Sequence, residues 1–128
     1  MMTARSGHGC FSAKNRGNVT HVYAFGGRGF GFEYLKTTEV MDVNYLVWSY
    51  GPSLPIGIVE NRGVESFDDI YDGFSIGGRD TEDWKEQSVI YGLKNTNGNK
   101  QWLRVGSMNN PRWSTTAINA PSYLLPSY

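Results

Sequence analysis

The sequence predicts an all-β protein with the size of one small domain. Glycine is frequent, with 16 in 128 residues, and aromatic residues make up 14% of the chain, a composition typical of aromatic strands joined by glycine-rich turns. Apolar residues do not recur at helical spacing over any long stretch, so no amphipathic helix is predicted. A third observation, an internal repeat of about fifty residues, predicts how the strands are organised.

Charge and cysteine content exclude several classes of protein. Lys plus Arg and Asp plus Glu number 12 each, so the formal net charge is zero, whereas a nucleic-acid-binding protein carries a basic excess. Cys10 is the single cysteine, so no disulfide can form within the chain. Residues 1–16 lack the apolar core of a secretory signal, and no apolar run is long enough to span a bilayer. These features favour the cytoplasm only weakly and leave the compartment open.

Two glycine pairs define the repeat. Gly26-Gly27 and Gly77-Gly78 lie 51 positions apart, and each pair follows an alternating apolar stretch and precedes an arginine. Further features keep nearly the same spacing downstream: Met41 and Tyr91, then Trp48 and Trp102, then Leu54 and Met108. Several features in register over such a length indicate two copies of one structural unit.

The alternation of apolar and turn residues predicts four strands in each copy. In the first copy they cover residues 6–13, 21–25, 39–43 and 47–50, and in the second copy residues 63–68, 73–76, 88–93 and 101–105. Each glycine pair closes the second strand, where a residue without Cβ permits a positive φ and a close backbone approach. Asp72-Gly73 is interpreted as the turn between the first two strands of the second copy, and Asn97-Gly98 as a two-residue hairpin turn.

The end of the chain resembles its beginning. Residues 108–118 parallel residues 1–11, with Met1 matching Met108 and Arg5 matching Arg112. The chain is therefore divided into a first copy at residues 1–57, a second at residues 58–111, and a tail at residues 112–128 that holds the first strand of a following copy, near residues 113–119.

This order of features resembles the kelch repeat: an aromatic strand, Gly-Gly, a variable loop, a strand of the apolar-Tyr-Asp type, a tryptophan and then Pro-Arg. The two copies cover nearly the whole chain, and Met41 stands where the family usually has tyrosine. The resemblance implies two four-stranded antiparallel blades of a β-propeller, with the tryptophans filling the wedge between blades. Since about four to eight blades close such a ring, it also implies a fragment of a longer propeller or an assembly of several copies.

The resemblance implies a protein-binding scaffold without chemistry or cofactor of its own. Kelch relatives include actin-binding proteins, ubiquitin-ligase substrate receptors and extracellular scaffolds, and partners typically dock on the loops after the second strand, here residues 28–37 and 79–87. Aromatic and arginine side chains dominate interface energies. The candidate binding residues are Arg28, Phe30, Phe32, Tyr34, Arg79, Asp80 and Trp84. Local packing that stiffens the loops is the alternative for the aromatic residues.

Other motifs do not support a second kind of site. His8, Cys10 and His21 are too few for a zinc site with its supporting shell, and the glycines of residues 26–31 lack the spacing of a dinucleotide loop. The acidic residues at 68–72 lack the EF-hand spacing, and those at 80–86 are interpreted as a solvated loop. The alternative function is part of a kelch-like oxidase or sugar isomerase, whose catalytic site would lie in blades outside this chain.

Overall fold

The computed structural model describes residues 1–81, 85–114 and 116–117. Ten β-strands and no helix form in this part of the chain, so no described helix could cross a membrane. The strands are β1 (Gly9–Lys14), β2 (Thr20–Phe25), β3 (Thr38–Asp42), β4 (Val47–Tyr50), β5 (Ile58–Val59), β6 (Arg62–Glu65), β7 (Tyr71–Ile76), β8 (Arg79–Asp80), β9 (Val89–Thr96) and β10 (Asn99–Ser107).

Eight of the strands form two antiparallel sheets. Sheet I has the order β1-β2-β3-β4 and sheet II the order β6-β7-β9-β10, while β5 and β8 form a short separate ladder. Each sheet is open, and each follows the order of the chain. The predicted all-β class is confirmed, and each of the eight predicted strands overlaps one strand of these sheets. The predicted following strand near residues 113–119 falls largely outside the described residues.

The two sheets share one backbone hydrogen-bond plan. In both halves the first glycine of the pair donates to a carbonyl at the start of the third strand, and the second glycine donates across to the segment that starts the next repeat. These bonds are Gly26 N–H to Thr37 O (3.2 Å) and Gly77 N–H to Val89 O (3.2 Å), then Gly27 N–H to Ile58 O (2.7 Å) and Gly78 N–H to Arg112 O (2.8 Å). The repeat in the sequence is thus a repeat in structure.

The glycine pairs are required at both places. All four glycines have positive φ, between 63° and 105°. A Cβ on Gly26 would lie 2.7 Å from the carbonyl oxygen of Ile58, and one on Gly77 would lie 2.6 Å from that of Arg112. A side chain would therefore combine backbone strain with a collision, as the sequence predicted.

The strand register corrects one detail of the sequence interpretation. Met41 pairs with Trp48 and Leu93 pairs with Trp102. Met41 therefore corresponds to Leu93, and its predicted match with Tyr91 is wrong by two residues. The predicted match takes the loop after the second glycine to be one residue shorter in the second half, whereas the register shows that it is one residue longer.

The turn that opens sheet II also differs from the prediction. Asp72-Gly73 lies inside β7, so its interpretation as a turn is wrong. The turn is formed upstream, where the Asp68 carboxylate accepts the backbone N–H groups of Ile70 and Tyr71, each at 2.8 Å. The predicted hairpin is confirmed, because Asn97 and Gly98 connect β9 and β10 with φ of 51° and 86°, the left-handed pair of a type I′ turn.

The core lies between the face of sheet I that carries Phe11 and the face of sheet II that carries Trp102. We call these the inner faces and the opposite sides of the two sheets the outer faces. Phe11, Tyr23 and Phe25 of sheet I pack against residues of sheet II that include Leu93 and Trp102. Trp102 is only 3% exposed, and its indole N–H donates to the Thr38 hydroxyl at 3.0 Å. This tryptophan fills the space between the sheets as predicted, whereas Trp48, its counterpart on the outer face of sheet I, is half-buried.

The N-terminal segment covers part of that outer face. Arg5 and Glu39 form an ion pair at 2.8 Å with both side chains fully buried. Glu39 also accepts the backbone N–H groups of Met2 and Thr3 at 2.6 and 2.9 Å, while Arg5 donates to the carbonyl oxygen of Gly26 at 2.8 Å. Residues 1–5 are thereby fixed on the outer face of sheet I. Residues 54–58 occupy the corresponding position on the inner face of sheet II.

Candidate functional site

The loop between β2 and β3 presents two aromatic side chains to solvent. Gly29 N–H donates to Glu33 O at 2.9 Å, and Phe32 N–H donates back to Gly29 O at 3.3 Å. These bonds close a compact turn with Phe30 at its tip, where the side chain is 96% exposed. We call residues 28–34 the Phe30 loop.

Phe32 is held in an unfavourable backbone conformation. Its φ is +69°, in the left-handed region that costs an L-residue about 1–2 kcal/mol. Its ring is 71% exposed, with the guanidinium of Arg28 only 4.4 Å from its centroid. Backbone strain and exposed apolar surface at one loop are features of binding sites, where the surrounding structure holds the strained residue in place.

A second arginine lies at the matching place in sheet II. Arg79 pairs with Val59, and Arg28 forms the corresponding bridge with Ser6. The guanidinium of Arg79 lies 4.1 Å from the centroid of the Trp113 ring, so both arginines stack on aromatic rings. The neighbouring Asp80 accepts a short hydrogen bond from the Gln87 amide.

The two loops are joined through one short segment. On the side of the Phe30 loop, the Ile58 N–H donates to the Leu35 carbonyl oxygen at 3.3 Å, and the Ile58 carbonyl oxygen accepts the Gly27 N–H. Ile58 and Val59 also pair with Asp80 and Arg79 on the sheet II side. The structure therefore brings the arginines and their loops to one edge of the molecule.

The remaining predicted residues have different environments. Tyr34 is half-buried, and its backbone bridges Arg28 across the loop. Trp84 lies outside the described residues. The expected alternative of local packing holds for Phe32, which stacks with Arg28, but not for Phe30, whose side chain is almost fully exposed.

A polar cleft of about 650 Å³ opens at the opposite edge of the sheets. Its walls come from the β1–β2 turn, the β6–β7 turn and the β9–β10 hairpin. The lining carries both signs of charge and several amides: Lys14, Arg16, His21, Asp68, Asp69, Asp72, Asn15, Asn95, Asn97 and Lys100. The sequence interpretation did not identify this cleft.

A partly buried polar cluster lies at the wall of the cleft and joins the sheets. Lys100 and Asp72 of sheet II form an ion pair at 2.8 Å. The Tyr23 hydroxyl of sheet I donates to Asp72 at 3.2 Å and accepts a short hydrogen bond from Lys100. Asn95 donates to the second carboxylate oxygen of Asp72 at 3.4 Å.

The protonation states of this cluster suit a structural role, in which its hydrogen bonds hold sheets I and II together. Burial raises the pKa of Tyr23 above its ordinary value, against the opposing effect of Lys100. Burial alone would lower the pKa of Lys100, but its bonds to Asp72 and Tyr23 outweigh burial and raise it. At neutral pH the phenol is therefore neutral and the ammonium charged, which suits hydrogen bonding across the junction and not nucleophilic chemistry.

No sequence signal pointed to this cluster. In the sequence Tyr23 is only one residue of an alternating strand, and Lys100 lies in residues 94–100, a stretch that is longer than its counterpart, residues 44–47, in the first repeat. His21 and Cys10, considered together as metal ligands, point to opposite faces of sheet I, since His21 pairs with Ala13 and Cys10 with Ala24.

Comparison with known proteins assigns the chain to no family. No protein-family model matches it, and a search of curated proteins finds no significant similarity.

Proposed function

We propose that the chain is a pair of kelch-type propeller blades that binds a protein partner through the Phe30 loop. The blade interpretation is supported by two sheets with the same strand order and the same hydrogen bonds at their glycine pairs. It is also supported by Trp102, which fills the space between the sheets.

The exposure of Phe30 carries the binding proposal. A phenylalanine that is 96% exposed at the tip of a hydrogen-bonded turn leaves its whole ring available for burial by a partner. Burying such a ring is worth about 1.5–3 kcal/mol. Phe32 and Arg28 belong to the same loop, and Arg79 lies at the matching place in sheet II. Arginine and aromatic residues are the types that form interaction hot spots, and loops on a rigid scaffold are where such sites occur.

The test uses peptides displayed at random and selected on the wild-type chain. Binding is then measured to the wild type, to a Phe30→Ser/Phe32→Ser variant, and to a Tyr45→Ser/Leu46→Ser control. The control removes apolar side chains that are 77% and 70% exposed in the β3–β4 turn, at the other edge of sheet I.

We expect the selected peptides to bind the wild type and the control alike, and the loop variant at least tenfold more weakly, because truncation at a hot spot costs about 2 kcal/mol or more. Equal binding to all three proteins, or the absence of any enriched peptide, would reject the Phe30 loop as the binding surface. The enzymatic alternative stays a prediction, since it assigns the chemistry to blades outside this chain.

A further inference from the structure

The outer faces of the two sheets are the counterparts of the two faces that pack inside the chain. Inside, the sheet I face with Phe11 and Phe25 meets the sheet II face with Gly73 and Trp102. The register places Trp48 on the outer face of sheet I where Trp102 lies in sheet II. The described part of the chain therefore carries a second pair of matching faces that do not pack on each other.

Both outer faces combine apolar side chains with polar ones, such as Lys14 and Glu39 on sheet I and Arg62 and Lys94 on sheet II, and both are only partly covered by the described residues. The outer face of sheet I carries Cys10, Ser12, Val22, Met41, Trp48 and Tyr50. The outer face of sheet II carries Val64, Phe74, Ile76, Ile90 and Leu103. Tyr50 is 64% exposed, and every sheet II member of this set is half-buried.

The sizes of the side chains compensate between the two outer faces. In the inner junction the Phe11 ring lies against Gly73, where a Cβ would come within 2.8 Å of it. At the corresponding outer positions, sheet I has Val22 where sheet II has the smaller Gly73, and sheet II has Val64 where sheet I has the larger Phe11. Volume removed from one side is thus restored on the other, which keeps a packed junction filled.

We propose that a second copy of this chain binds head to tail, with the outer face of sheet II of one copy packed on the outer face of sheet I of the next. Such a contact is heterologous, so each copy retains one free face, and association continues until the rotation closes a ring or forms an open chain. The proposal does not depend on partner binding by the Phe30 loop, which lies at an edge and not on either face.

The outer junction differs chemically from the inner one in two ways. Ile90 occupies the place of Thr38, so the Trp48 indole has no matching hydroxyl, and Phe74 replaces Tyr23 without its hydroxyl. The junction is therefore held by apolar burial. Cys10 occupies on sheet I the place that Gly63 has on sheet II, and in the inner junction a Cβ on Gly63 would lie 2.1 Å from the Cys10 carbonyl oxygen. The outer faces therefore stand further apart at this point than the inner faces do, and the Cys10 thiol, exposed in the single chain, becomes covered on association.

The experiment blocks each face separately. Val22→Glu places a charge on the outer face of sheet I, Phe74→Glu on that of sheet II, and Tyr45→Glu serves as a control at an exposed turn on neither face. Mass is measured by sedimentation velocity over a range of concentrations, and circular dichroism confirms that every variant retains the β-rich spectrum.

We expect the wild type and the control to form assemblies whose mass rises with concentration, and each blocked variant to remain a monomer of 14.3 kDa. An equimolar mixture of the two blocked variants should form a dimer of twice that mass, because each supplies the face that the other lacks. Reaction of Cys10 with a thiol reagent should slow in that mixture and remain fast in either variant alone.

Three results would overturn the proposal. They are a wild type that stays monomeric at all concentrations, a mixture that stays monomeric, and a Phe74→Glu variant that still dimerises by itself, which would indicate symmetric pairing of the sheet I faces. A Phe30→Ser/Phe32→Ser variant should assemble as the wild type does, so failure of the peptide-binding test and failure of head-to-tail association are separate outcomes.

Discussion

The buried ion pair between Arg5 and Glu39 makes the N-terminal segment part of the fold, and Glu39→Gln tests this. Both side chains are fully buried and 2.8 Å apart. Removing one member of a buried pair leaves the other charge without compensation, at a cost of about 3–5 kcal/mol. That is a large fraction of the roughly 5–15 kcal/mol by which small proteins are stable. Urea unfolding at pH 7, followed by tryptophan fluorescence, measures the loss.

The matched control is Asp42→Asn, the same carboxylate-to-amide change on the same strand. Asp42 lies 3.9 Å from His21, with side-chain exposures of 27% and 22%, and a partly exposed pair at this distance contributes less than about 1 kcal/mol. Equal losses in the two variants would refute the reasoning, because they would show that burial of the pair with Arg5 has no energetic consequence.

The pH dependence gives a second check on Glu39. Burial alone would raise its pKa, but the hydrogen bonds from Arg5 and from the backbone N–H groups of Met2 and Thr3 outweigh burial and hold the pKa below its usual value. A carboxyl with a lowered folded-state pKa stabilises the protein above its unfolded-state pKa of about 4.3 and loses this effect as pH falls through the folded value. The difference in stability between wild type and Glu39→Gln should therefore narrow below about pH 4, and a constant difference down to pH 3 would contradict the assignment.

Two further substitutions test the repeat plan. Gly77→Ala should destabilise the protein by about 1–3 kcal/mol through φ strain, and further because its Cβ would lie 2.6 Å from the Arg112 carbonyl oxygen. Gly98→Ala is the control and should cost less, because Gly98 has a positive φ but nothing within 4 Å of a Cβ. Equal urea midpoints for the two variants would argue against the close approach at Gly77. Trp102→Phe should lower the free energy of unfolding by about 1–3 kcal/mol, because it leaves the Thr38 hydroxyl unsatisfied. In a double-mutant cycle with Thr38→Val, followed by thermal unfolding, the two losses of stability should not add. Additive losses would show that the hydrogen bond contributes nothing.

The backbone plan was predictable from the sequence because glycine and turn residues act locally. The pairs Gly26-Gly27 and Gly77-Gly78 have positive φ in both halves. Because glycine is the residue type that readily adopts this conformation, such turns can be predicted without knowledge of the tertiary structure. Asn97-Gly98 predicted its hairpin for the same reason.

Side-chain pairing between the sheets was not predictable, because it depends on register and distance along the chain. The error of two residues at Met41 arose because the loop after the second glycine is one residue longer in the second half and not one residue shorter, and spacing alone does not show where an extra residue lies. The contact of Tyr23 with Lys100 joins residues 77 positions apart, and Lys100 belongs to a stretch that is longer in the second repeat than in the first. Within the predicted binding loops, the residue types were identified, but the exposure of Phe30 and the strain at Phe32 required coordinates.

The polar groups of the inner junction distinguish it from the outer faces and set an order of association. Thr38 accepts the Trp102 indole N–H, and Tyr23 completes the bonds of Lys100. Suppose that the inner face of sheet I packed on the outer face of sheet II from another copy and not on the inner face of its own sheet II. The Thr38 and Tyr23 hydroxyls would then lose their partners, and each buried group left unsatisfied costs about 1–3 kcal/mol. The two sheets of one chain should therefore pair with each other first, and the outer faces, which have Ile90 and Phe74 in place of Thr38 and Tyr23, are free to join copies. The same backbone repeat thus supports two junctions, and the side chains specify which one forms within the chain.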